Sequence, residues 1–124
     1  MRFLVLTAAF LALAGAAGAA PAGVRLKTSQ VVVVPDTPVG GHSFTANMRV
    51  TRRDSGAVVR SGKVTCAARV GTRSLVRVRA GFRSGRVSCT WKLPSSASGR
   101  HVNGWLRLDA LGSLSRRFFG RPIL

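Results

Sequence analysis

Four stretches of this chain alternate apolar and polar residues with a period of two, and that alternation limits the fold more than any other feature. In Ser43–Thr51 the apolar set is Phe44, Ala46, Met48 and Val50, while Thr45, Asn47, Arg49 and Thr51 take the other parity. Lys63–Val70 sets Val64, Cys66, Ala68 and Val70 against Lys63, Thr65, Ala67 and Arg69. Val76, Val78 and Ala80 alternate with Arg77 and Arg79, and Arg86–Leu93 sets Val87, Cys89, Trp91 and Leu93 against Ser88, Thr90 and Lys92. Successive side chains of a strand point to opposite sides, so each stretch predicts a strand with one buried and one wet face.

Val102–Asp109, where Leu106 and Leu108 share a face, and Leu114–Phe119 predict two more strands, and the run Gln30–Pro35 predicts a first, edge strand that Pro35 ends. Turn residues separate them: 35–41, Asp54-Ser55-Gly56, Gly71-Thr72, Ser84-Gly85, 94–99 and Leu111-Gly112-Ser113. About seven short strands with such punctuation, and no helical period after Gly23, predict an all-β antiparallel sandwich or barrel. No segment has room for a crossover helix, which excludes a parallel α/β sheet.

At 124 residues there is room for one domain and a modest core. The start of the chain has Arg2, an apolar run from Phe3 to Ala14, then small residues including Ala17-Gly18-Ala19. That order predicts a signal peptide over 1–22, cleaved near Ala19 or Ala22, followed by a single domain over 23–124. The expected location is secreted, extracellular or cell wall; the alternative is a membrane tether formed by an uncleaved N-terminal segment. Export also bears on the two cysteines. An even count in a small exported domain predicts a disulfide, and Cys66 and Cys89 both lie on the apolar parity of their strands. The bond would close a loop of 22 intervening residues, adding on the order of 3 kcal/mol on chain-entropy grounds. A reactive thiol needs exposure, a lowered pKa and a neighbouring base, and an apolar strand offers none of them. The expected core contains Trp91, Phe44, Val64, Val87 and Leu106.

Gly62–Val70 and Gly81–Leu108 together resemble the bacterial immunoglobulin-like modules of secreted and surface proteins, particularly of actinobacterial type. The shared features are a G-x-V-x-C strand, a C-x-W strand about two dozen residues later, a P-x-x-A-x-G turn and a following G-x-hydrophobic-x-hydrophobic strand. The resemblance implies an immunoglobulin-like sandwich used as a spacer, adhesion or carbohydrate-associated module, with no catalytic residues to carry over. Antibody domains differ: their cysteines lie further apart, their tryptophan falls between the cysteines, and they carry a tyrosine corner that this tyrosine-free chain lacks.

The inventory for acid–base or metal chemistry is His42, His101, Asp36, Asp54 and Asp109, without glutamate. Neither histidine has partners at ligand spacing, Asp36 and Asp54 sit in turns, and no phosphate-cradling, nucleophile-elbow or calcium-loop pattern occurs. The expectation is no enzyme, no cofactor, no metal and no small-molecule substrate. The charge is another matter. Twenty lysines and arginines leave a net charge of +17, which attracts polyanions without selecting among them. Arg49, Arg69, Arg77, Arg79 and Arg107 take outward parity and form a candidate anion-binding sheet face, against the plain alternative of a solvated surface. The expected role is a structural or protein-interaction module at the cell surface, with an unidentified protein partner. The alternative is a binder of anionic polymers: cell-wall polymer, acidic glycan or nucleic acid, the last not expected as a specific partner of an exported chain.

Overall fold

The computed structural model describes residues 23–124, so the segment read as a signal peptide lies outside the described residues. Nine strands and one 3-10 turn follow: β1 (Leu26–Thr28), β2 (Val32–Val34), β3 (Ser43–Arg52), β4 (Lys63–Val70), β5 (Arg73–Ser74), β6 (Arg77–Arg83), β7 (Arg86–Lys92), the turn at Ser95–Ala97, β8 (His101–Ala110) and β9 (Ser113–Pro122). They form two antiparallel sheets. The first runs β1-β3-β7-β6, with β2 also pairing β3, and the second runs β5-β4-β8-β9. β1 and β2 bind different parts of β3, at Val50–Arg52 and Thr45–Asn47, as two pieces of one interrupted edge strand.

The alternation in β3, β4, β7 and β8 becomes the space between the sheets. Phe44, Ala46, Met48 and Val50 of the first sheet face Leu106 and Leu108 of the second, all buried. Full burial of one such large side chain contributes roughly 1.5–3 kcal/mol. Phe44 and Trp91 stack with ring centroids 5.4 Å apart, and Phe119 meets them edge-on or tilted at 6.3 and 5.8 Å. Phe119 fits because Gly104 lies beneath it: a Cβ there would come within 2.5 Å of Phe119 Cζ and 2.6 Å of the Ala67 carbonyl oxygen. Of the residues expected in the core, Trp91, Phe44, Val87 and Leu106 are buried, and Val64 is packed against the core while partly exposed. A disulfide joins Cys66 of β4 to Cys89 of β7, Cα atoms 6.7 Å apart, and so pins one sheet to the other.

Two tight hairpins fix the register of everything beyond them. Ser84 and Gly85 have φ of 49° and 77°, Leu111 and Gly112 of 54° and 73°. A two-residue loop with both φ positive matches the right-handed twist of the flanking strands. Arg83 is thereby set opposite Arg86, and Ala110 opposite Ser113.

β6 departs from the sequence reading. The period of two puts Val76, Val78 and Ala80 inside and Arg77 and Arg79 outside, yet Val76 and Val78 are 76% and 57% exposed. The register shifts between Arg77 and Arg79, so that Arg77 stands opposite Trp91 while Arg79 stands opposite Thr90. An extra residue at a bulge inverts the parity of everything on one side of it. Arg77 therefore lies on the same side of the sheet as Trp91, its Nη1 3.9 Å from Cys66 Sγ, and is not part of an outward face. Ala80 is exposed although it pairs with buried Cys89, because β6 forms the edge of its sheet.

Candidate functional site

The arginines expected on one face divide among three places. Arg49 and Arg79 lie on the outer face of the first sheet, Arg69 and Arg107 on the outer face of the second, and Arg77 at the edge between the sheets. Sequence reasoning left out Arg83 and Arg86, which complete the first of these groups. The Ser84-Gly85 turn was the signal that locates them, since a two-residue loop places its flanking residues directly opposite one another.

On the first sheet, Arg49 of β3 pairs with Arg86 of β7, and Arg86 pairs with Arg83 of β6. Three exposed arginines thus stand in one row across three adjacent strands. With neighbouring strands about 4.8 Å apart, the row is about 10 Å wide at the backbone. Like charges directly opposite on neighbouring strands destabilise a sheet, and no carboxylate compensates the row among the described residues. Asp54 is engaged by Arg52, whose Nη2 lies 2.9 Å from its Oδ2; the hydrogen bond from Arg52 holds the Asp54 carboxyl down at about 2. Asp36 lies 3.7 Å from Arg121, and Asp109 belongs to the other sheet.

Beside the row is a groove of about 490 Å³ bordered by Arg49, Arg79, Arg83 and Arg86, with Gly81 and Ser88 in its floor. Gly81 has a negative-side backbone conformation and nothing within 4 Å of where a Cβ would stand. Neither backbone geometry nor packing demands glycine there, and its effect is to leave bare backbone between Arg79 and Arg83. Further along the same face the Thr45 and Thr90 hydroxyls hydrogen-bond to each other at 2.8 Å. The Arg49 backbone is tied to the interrupted edge: its N–H donates to Ser29 Oγ at 2.8 Å, and its carbonyl accepts from the Ser29 N–H at 2.9 Å.

The second sheet presents a different face. Trp105 of β8 stands between Ala67 of β4 and Phe118 of β9, and the next row holds Thr65, Arg107 and Arg116. The Arg116 guanidinium lies 5.9 Å from the Trp105 ring centroid and 5.4 Å from that of Phe118. Phe118 is 69% exposed. Arg117 has the opposite parity and reaches the first sheet, its Nε donating to Thr28 Oγ1 at 2.8 Å and its Nη2 to the Thr28 carbonyl at 3.1 Å.

No protein-family model matches this sequence, and no curated protein matches it. Among solved structures the chain is similar to a chimeric titin Z1Z2 functionalized with a KLER exogenous peptide from decorin: 14% identity, TM-score 0.52, covering 84% of this chain and 98% of that one. A likeness at that identity shows the fold, an immunoglobulin-like β-sandwich. The sheets agree with that class in detail. β1/β2-β3-β7-β6 is the A-B-E-D order, and β4-β8-β9 is the C-F-G order with β5 as a short C′. The disulfide is a variation: antibody domains join strands B and F, whereas Cys66 and Cys89 join C and E.

Proposed function

We propose that this chain is a secreted, non-enzymatic immunoglobulin-like module of the bacterial surface-protein type, and that it holds an anionic polymer on the outer face of its first sheet. One observation carries the reading: the Arg49-Arg86-Arg83 row. The row sets three like charges opposite one another where strand packing gains nothing from them. A bound anion reverses the sign of that cost, since each guanidinium offers a planar pair of donors to a carboxylate, sulfate or phosphate. The bare groove floor at Gly81 lets such a group approach the backbone. Secretion is supported by the apolar N-terminal run and by the disulfide, which persists in oxidising compartments.

The test is retention of the oxidised protein on immobilised polyanions and on cell-wall material across a salt gradient. The double variant Arg83→Glu/Arg86→Glu should elute near physiological salt and show a shallower dependence of affinity on salt, as fewer counterions are released. Retention unchanged by this variant would turn the reading to the other one, a structural or protein-interaction module whose charge serves only solubility.

A further inference from the structure

We infer that the outer face of the second sheet is a separate binding site for an acidic polysaccharide, with a uronate ring stacked on Trp105 and Phe118; this rests on the reading of the module as a binder of anionic polymers. The core already has its aromatic cluster in Phe44, Trp91 and Phe119. Trp105 and Phe118 are surplus to it, paired across β8 and β9 on the side facing solvent. Their neighbours along the row, Ala67 and the nearby Gly120, are small. The Arg116 guanidinium lies over both rings, 5.9 and 5.4 Å from their centroids, so a stacking sugar displaces that cation from the rings and offers it a carboxylate in exchange. A groove of about 420 Å³ runs beside them, bordered by Arg69, Ser74 and Asn103, within the size range of clefts that hold small organic groups.

The polar groups define the ligand. Arg69 lies on one side of the platform, and Arg107 and Arg116 lie on the other, directly opposite each other across β8 and β9. Arg107 is half-buried, with its Nε enclosed and without a hydrogen-bond partner. Asn103 and Ser74 add neutral donors and acceptors. The matching ligand has a flat ring face of C–H bonds, anionic groups to either side and hydroxyls between them, which is the chemistry of a uronic-acid polymer. Single-stranded nucleic acid needs successive aromatic platforms along its track. Here the residues of β8 on either side of Trp105 on this face are Asn103 and Arg107, and the platform is single.

The protein supplies its own reporter. Of its two tryptophans, Trp91 is 1% exposed and Trp105 is half-buried, so acrylamide quenching reads Trp105. The oxidised protein is titrated with oligogalacturonate, with inorganic polyphosphate of equal charge and with oligo-dT. Oligogalacturonate should shield Trp105, and polyphosphate should bind without shielding it. Phe118→Ala should weaken oligogalacturonate binding about tenfold, the loss of one stacked ring, and leave polyphosphate binding unchanged. Equal shielding by polyphosphate, stronger shielding by oligo-dT, or an indifferent Phe118→Ala each overturns the inference. If oligogalacturonate is bound while Trp105 stays open to acrylamide, this site alone is refuted. If none of the three probes binds, the parent reading has failed with it.

Discussion

Two backbone positions show how single residues hold this fold against alternatives. Gly104 is buried under Phe119 with no space for a methyl group. Gly104→Ala is therefore expected to destabilise the protein by about 1–3 kcal/mol, as overpacked cores do, read as a lowered midpoint in denaturant at unchanged m. Leu111 is the opposite case, a branched residue at φ 54° in a tight turn whose side chain is 45% exposed. Holding a non-glycine L-residue there costs about 1–2 kcal/mol, while asparagine tolerates the conformation. Leu111→Asn should raise the thermal midpoint, and a fall would show that the Leu111 side chain contributes packing that outweighs the backbone cost. Gly104 and Leu111 were legible as strand and turn residues respectively, but neither constraint was. The first depends on a ring from the neighbouring strand, and the second on a register that only the closed hairpin fixes.

At the level of strands, charge and stability oppose each other. Arg86 faces an arginine on both sides, so Arg86→Thr should stabilise the first sheet by several tenths of a kcal/mol at low salt. The same repulsion makes the parent protein more stable as salt rises toward the physiological range, where exposed charges are screened. Denaturation midpoints at two ionic strengths check both statements: the variant should show the flatter response. Stability that falls on substitution would mean that the row is not repulsive and would remove the main argument for an anion there. The six longer strands, β3, β4, β6, β7, β8 and β9, could be located from periodicity, and β2 from the valine run that Pro35 ends. β1 and β5, of three and two residues, are too short to carry a period and exist only through their partners. β6 misled the reading because one bulge resets the count, and a bulge in an edge strand leaves no mark in composition.

For the whole molecule, the disulfide decides how firmly the sheets are held together. Cys66 and Cys89 are 23 residues apart in sequence and lie on different sheets, so replacing both with alanine should cost about 3 kcal/mol. Unfolding of oxidised and reduced protein measures this directly, and equal stability would mean that the sandwich stands on its core alone. The sequence by itself determined the strand class, the turn positions, the cysteine pair and the Phe44 and Trp91 part of the aromatic core, because alternation and turn chemistry act over neighbouring residues; Phe119 joined that core only in the folded structure. The tertiary structure alone decided which arginines meet. Arg49, Arg83 and Arg86 are scattered along the chain and come into one row by strand order and hairpin register, while Arg77 and Arg79, two residues apart, are separated by a bulge onto opposite sides of the sheet. A surface site is a property of cross-strand pairing, and pairing is long-range; the parity that builds a core is local, which is why core positions and the outward parity of Arg49, Arg69, Arg79 and Arg107 could be read along the chain, and the grouping of the arginines could not.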